Sequence, residues 1–381
     1  MKLGYISTYT SGVFRGPLYN QLAAISKDTD VTWFASGKSS YQYTNRSGHE
    51  SDEEISPSFR IRRFDESWHL RGFVWPRNLQ QMLQKAPIDM IHSNEYYQPI
   101  SWQGLKVAKK RGLPFVLTQR KPVIPTDVTF KLLDMFGKKT VYGSDKIIAL
   151  TNLAKSSLLE HFPRLNEEKV SVIPNSIDPD SFGKIDAQGF RERYGIPADS
   201  PVMVNVGRIF PVKRIDMLVR IFAVVRKDIP DARLVLVGPE HPEEGKNVRK
   251  LVRRLALDGA VTFTGPIPNE RIGDAFGAGD VFCLTSQTEA FGYSLLESMA
   301  CRTPCVSWAV GGTSDIVQNG RNGFLVDFGD IKSYSDRVTA LLNDRQLRKK
   351  VASEARSGLK IFELKKNAQL TMNAYKEAIG C

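Results

Sequence analysis

Short apolar runs alternate with helix-like segments along almost the whole chain, and this alternation restricts the fold more than any other feature. Runs at 2–6, 31–35, 88–93, 114–118, 146–150 and 170–173 occupy the first half; others at 201–206, 233–237, 261–264, 281–285, 305–310 and 323–326 occupy the second. Strands that are apolar on both faces belong to parallel sheets covered by helices, so the fold class is α/β, with two doubly wound, Rossmann-like sheets. A chain of 381 residues with 41% hydrophobic content can bury two such cores.

The segment 281–312 is the most informative of these units. The run from Val281 to Ser286 leads through a loop into a helix-like stretch, with Leu295, Leu296 and Met299 at helical spacing, and then into a second run beginning at Cys305. In such a unit the loop lies at the carboxyl end of a parallel strand, beside a helix N-terminus whose free N–H groups favour an anion. Phe291 and Gly292 stand at that point. Glu289 precedes the helix and Glu297 lies about two turns along it, so both carboxylates can border one ligand. Carboxylates suit sugar hydroxyls and helix amides suit phosphate. Alone, the pair has a plainer reading: a partner for the helix dipole and an exposed helix charge.

The continuation tips the balance. Gly311-Gly312, Asp315-Ile-Val317 and the stretch from Gly320 to Phe328 follow in order. These residues resemble the retaining glycosyltransferases of family four, which have the GT-B fold and carry a Glu, seven residues, Glu signature followed by a Gly-Gly loop and a Gly-x-Leu-Val strand. A second segment supports the resemblance independently. The apolar run 202–206 ends at Gly207 and is followed by Arg208, Lys213 and an amphipathic stretch with Ile215, Leu218, Val219 and Phe222 on one side. A guanidinium and an ammonium at a strand end can compensate charge on a leaving diphosphate without a metal. Taken alone, Lys213 and Arg214 read equally well as the basic start of a solvated helix.

The resemblance implies roles residue by residue. Arg208 and Lys213 would hold the donor diphosphate, the amides of Phe291 and Gly292 would add to it, Glu297 would hold the ribose hydroxyls and Glu289 the sugar hydroxyls. Members usually have a Gly-Gly loop after the first strand, close to the donor phosphates and the acceptor; here Gly12 and Gly16 stand in that region, without an adjacent pair, and would serve as the donor-binding glycines. After the run 114–118 many members carry a histidine that contacts the donor sugar, whereas this chain has Arg120 there. Such a charge suits an acidic sugar or a phosphate-bearing acceptor, or else pairs with a nearby carboxylate. The segment from Val172 to Asp178 resembles the family's interdomain hinge. It divides the chain into 1–178 on the acceptor side, 179–360 binding the nucleotide sugar, and 361–381 as a helix packing back on the first domain, the two domains facing across a cleft.

The implied activity is metal-independent, retaining transfer of a sugar from a nucleotide-sugar donor to an acceptor hydroxyl. The expected acceptor is a cell-envelope polysaccharide or a lipid-linked compound. A sugar-nucleotide epimerase of the same shape and a non-catalytic nucleotide-sugar-binding subunit are the alternatives. No cofactor is expected, because the nucleotide sugar is a substrate. Asp178-Pro-Asp180 and Asp28-Thr-Asp30 match a metal motif of another glycosyltransferase fold by spacing only. Of the histidines, His92 is expected to line the cleft; His49, His69, His161 and His241 read as surface residues.

The net charge of +12 favours anionic partners. Arg60, Arg62, Arg63, Arg71 and Arg77 surround Trp68, Phe73 and Trp75, a mixture suited to an anionic membrane surface, and nucleic acid is disfavoured. No run approaches the roughly 20 apolar residues of a spanning helix. Cys283, Cys301, Cys305 and Cys381 do not form a disulfide framework, which fits a reducing cytoplasm, with the enzyme peripheral at the inner face of the membrane.

Overall fold

The computed structural model describes residues 1–8, 17–37, 51–70, 73–122 and 128–380. The chain forms two compact units, Met1–Ser176 together with Leu364–Cys381, and Ile177–Glu363.

In the first unit an 8-stranded sheet runs in the order Val170–Val172, Lys146–Ala149, Phe115–Gln119, Met90–Asn94, Lys2–Ile6, Asp30–Ser36, Phe59–Phe64 and Glu53–Ser56. All pairings are parallel except the last, which is antiparallel. Its two faces are separately filled. Ile6, Phe34, Ile91, Phe115 and Leu117 belong to one apolar cluster; Leu3, Tyr5, Val31, Trp33, Met90 and Val116 belong to another, which the final helix Leu364–Ile379 closes with Ala374 and Tyr375.

The second unit has a 6-stranded, all-parallel sheet: Val261–Gly265, Arg233–Val237, Val202–Val206, Val281–Leu284, Cys305–Trp308 and Phe324–Val326. Alternation along one strand feeds both faces: Met203 packs in one cluster and Val202, Val204 and Val206 in the other. This double burial is why these strands read as continuous apolar runs.

Every apolar run named from the sequence contains a strand. The segment 53–76 adds four strands that no continuous apolar run marks. Phe59–Phe64 buries Phe59, Ile61 and Arg63 with period two and Phe64 on its other face. Arg63, only 9% exposed, donates to Glu53 at 2.7 Å, and Arg62 pairs with Glu54 on the neighbouring edge strand. Of the arginines expected to form a membrane patch, Arg62 and Arg63 are thus paired with carboxylates of the edge strand. The remaining segment, Glu66–Leu70 with Phe73–Pro76, is an antiparallel hairpin.

Candidate functional site

In open α/β sheets, ligands bind beyond the strand carboxyl ends where the strand order reverses. In the second unit that point lies between Val202–Val206 and Val281–Leu284. From there the chain winds outward to Arg233–Val237 on one side and Cys305–Trp308 on the other. Arg208 and Lys213 follow the first strand, and Glu289, Phe291 and Gly292 follow the second.

The fold brings these loops into contact. Lys213 Nζ donates to Glu289 Oε2 at 2.8 Å, across a separation of 76 residues, and Ser286 donates to the same oxygen at 3.2 Å. Both partners are largely shielded, their side chains 25% and 14% exposed. The family resemblance implies different parts of a donor for the two residues; the structure pairs them with each other. Arg208 is exposed at the strand end, with its guanidinium over the Phe210 ring, 5.1 Å from the centroid.

Glycines position both loops. Gly238 has φ 135°, and a Cβ there would stand 2.1 Å from the Gly207 carbonyl oxygen, so the turn carrying Arg208 lies directly against it. Gly311, at φ 56°, does the same for Glu289: a Cβ would fall 1.9 Å from the Glu289 carbonyl oxygen, to which the Gly312 N–H donates at 3.0 Å. The Gly-Gly pair is thus a backbone support for the Glu289 loop. Gly292, at φ 106°, is the N-cap of Tyr293–Ala300, and Phe291 is buried beneath it.

Glu297 lies on that helix, half-buried, its side chain with no hydrogen bond or ion pair among the described residues. Burial pushes its carboxyl up to about 7. A partly shielded carboxylate without a protein partner is suited to hydroxyl donors.

In the first unit, Arg120 follows Phe115–Gln119. Its N–H donates to Glu95 Oε1 at 3.3 Å, and its charge acts on the Tyr5 hydroxyl, which donates to Asn94 Oδ1 at 2.8 Å. Burial raises the Glu95 carboxyl, opposed by the charges of Arg120 and Lys121. In the sequence the one signal for Glu95 is its place after His92-Ser-Asn. His92 is not a lining residue: it is 2% exposed, with Nδ1 2.7 Å from the Tyr375 hydroxyl and Nε2 2.7 Å from Thr118 Oγ1. Burial, then the Arg120 charge, lowers it to about 3, which leaves it neutral. His161 likewise is not a plain surface residue, because it pairs with the buried Asp134. Gly12 and Gly16 lie outside the described residues.

Among the described residues no group of three or more His, Cys, Asp or Glu can hold a metal ion. Asp180 pairs with Arg356 at 3.0 Å. No helix among the described residues is long and apolar enough to cross a membrane.

Comparison with known proteins agrees with this architecture. A family model for glycosyl transferases group 1 matches residues 186–358, and one for glycosyltransferase family 4 matches 18–181. D-inositol 3-phosphate glycosyltransferase of Kribbella flavida is 30% identical over 308 residues, 76% of this chain and 71% of that protein. N-acetyl-alpha-D-glucosaminyl L-malate synthase of Bacillus anthracis is 29% identical over 219 residues, 57% of this chain and 56% of its own length. Among solved structures, Anabaena HepE in complex with UDP superposes with a TM-score of 0.80 at 19% identity, covering 99% of this chain and 100% of that one. The fold is therefore that of the GT-B glycosyltransferases, and the chain belongs to glycosyltransferase family 4.

Proposed function

We propose that the protein transfers a sugar, with retention and without a metal, from a nucleoside-diphosphate donor held by the Ile177–Glu363 unit to an acceptor hydroxyl. One observation carries this reading: Arg208, the Lys213–Glu289 pair and the N-terminus of Tyr293–Ala300 converge where the strand order reverses. Two cations and free helix amides are what a diphosphate leaving group requires. Glu289 and Glu297 supply acceptors for hydroxyls, Glu297 for the ribose and Glu289 for the sugar. Glu289 is engaged by Lys213 and Ser286, which suits holding a sugar better than acting as a free nucleophile. The departing phosphate oxygen then takes the acceptor proton, and retention follows from attack on the face it leaves. The HepE complex with UDP supports UDP as the nucleotide to test first.

The acceptor class expected from the sequence is a cell-envelope polysaccharide or glycolipid. The names of the relatives favour another: inositol 3-phosphate and L-malate are both small, hydroxylated anions. The test combines a UDP-sugar panel with these acceptors and follows product by mass spectrometry. Arg208→Ala and Lys213→Ala are expected to lower turnover by roughly two to three orders of magnitude. Activity is expected to persist in excess chelator. A folded variant with near-wild-type turnover overturns the diphosphate assignment; loss on chelation restored by magnesium or manganese overturns metal independence. A rearranged free sugar without glycosylated acceptor identifies an epimerase, and binding without consumption a non-catalytic subunit.

A further inference from the structure

At the amino ends of the strands of the second sheet, opposite the loops that carry Arg208 and Glu289, lies a cavity of about 380 Å³. It is lined by Asp280, just before Val281–Leu284, by Arg302, in the turn before Cys305–Trp308, and by Arg348, Lys349 and Ser353 of the helix Arg345–Gly358. Such a volume holds a small molecule.

Two observations give the cavity a chemical character. First, its charges are unequal. Asp280 is the only carboxylate among the lining residues, and it is already engaged: Oδ2 accepts from the Val202 N–H at 2.9 Å and from Arg191 at 3.4 Å, and Oδ1 lies 3.6 Å from Arg348 Nε. Arg302 and Lys349 are exposed, and neither side chain has a hydrogen bond or an ion pair among the described residues. Ser353 stands one turn beyond Lys349 on the same helix face and adds a hydroxyl. Second, Arg302 occupies a place that suits glycine. The helix Tyr293–Ala300 closes with the Thr303 N–H donating to the Ser298 carbonyl at 2.8 Å and the Arg302 N–H to the Met299 carbonyl at 3.1 Å, an ending in which the residue at the position of Arg302 is left-handed and most often glycine. Arg302 has φ 59°. A charged side chain held at a strained position points to a task for that side chain. The carbonyl end of the same helix, which would repel an anion, is itself engaged, because Arg356 donates to the Ala300 carbonyl at 3.4 Å.

We propose that this cavity binds the phosphate of a phosphomonoester, free in solution or at the head of a lipid, with Arg302 and Lys349 pairing its charge and Ser353 donating to a further oxygen. A phosphomonoester carries close to two negative charges at neutral pH and three terminal oxygens, which matches two cations and a hydroxyl. The site shares no residue with the donor loops, so it stands or falls apart from the transfer reading.

The experiment is a calorimetric and thermal-shift titration of the full chain in saturating UDP, which occupies the proposed diphosphate residues. The ligands are inorganic phosphate and glycerol 3-phosphate; glycerol and sodium chloride at matched ionic strength are the controls. Both phosphates are expected to bind and to raise the melting temperature, and neither control to do so. Arg302→Gly and Lys349→Ala are each expected to weaken phosphate about ten- to hundredfold. Lys350→Ala removes an exposed charge one residue outside the lining and is expected to leave phosphate binding unchanged. Without phosphate, Arg302→Gly is expected to melt at or above the wild type, since glycine takes the left-handed conformation freely, so its loss of binding is not a loss of fold. A parallel arm sediments the protein with phosphatidylcholine vesicles with and without phosphatidic acid. Response to the soluble phosphates supports a free ligand; sedimentation that depends on both phosphatidic acid and Arg302, without that response, supports a lipid head in the same cavity. No response in either arm, full retention of phosphate in Arg302→Gly and Lys349→Ala, or an equal loss in Lys350→Ala overturns the proposal. Phosphate binding that appears only when UDP is withheld also overturns it, because the anion then sits at the diphosphate residues.

Discussion

Glu297 shows how one residue ties stability to function. Its folded-state pKa of about 7 lies above its ordinary value of 4.5, so between these pH values the folded protein holds the proton more tightly than the unfolded chain. Stability therefore falls as pH rises through this window, and the penalty is complete above about 7. Glu297→Gln removes it. The variant is expected to melt above the wild type at pH 8, with the difference shrinking towards pH 4, while its affinity for UDP drops roughly ten- to hundredfold, the about 1.5–3 kcal/mol of a charged hydrogen bond. Differential scanning calorimetry and UDP titration at both pH values check this; a variant that melts lower at pH 8 refutes the partnerless burial of Glu297. Arg120 illustrates the other side of residue-level reasoning. Its position beyond a strand was legible from the sequence, but its closeness to Glu95 and Tyr5 was not, because one follows another strand and the other lies on a third.

Among the elements, the Gly311-Gly312 turn has the clearest mechanical task. With a Cβ at 311 placed 1.9 Å from the Glu289 carbonyl oxygen, Gly311→Ala must displace the Glu289 loop and with it the pairing to Lys213. Gly320 offers a matched control, since its φ of 79° is also left-handed but a Cβ there meets nothing within 4 Å. Gly320→Ala is expected to cost about 1–2 kcal/mol of stability and leave turnover intact. Gly311→Ala is expected to lower turnover at least tenfold more than its own loss of stability explains. Equal turnover in the two variants would mean that the glycine pair does not position Glu289. The motif was visible in the sequence; the close approach that requires glycine at 311 was visible only once the loop after one strand met the loop after its neighbour. The strands at 53–76 were missed for a related reason. Arginines between apolar residues look like a basic surface until the opposing Glu53 and Glu54 are seen on the next strand.

At the scale of the whole molecule, the chain's end belongs to its beginning. Leu364–Ile379 completes the first unit, with Tyr375 fully buried against His92 and with Asn367 accepting from Gln21 at 2.9 Å. Tyr375→Phe strips a partner from a neutral, buried imidazole and is expected to destabilise by about 1–3 kcal/mol. Arg208, Lys213, Glu289 and Glu297 all lie in Ile177–Glu363, so the same variant is expected to keep its UDP affinity at a temperature where it remains folded. Thermal melts with and without UDP check both parts, and a large loss of UDP binding would show that the first unit shapes the donor site.

The sequence by itself determined the order of strands and helices, the double burial of most strands and the family motifs, because periodicity and loop signatures are properties of neighbouring residues. Only the tertiary structure decided which side chains meet. Lys213 reaches Glu289 across 76 residues and His92 reaches Tyr375 across 283. Those encounters follow from sheet order, in which strands far apart in the chain become neighbours and place their carboxyl ends side by side. Charge, strain and orphaned acceptors acquire chemical meaning only at those junctions, because each depends on what the fold brings within a few ångströms and removes from water.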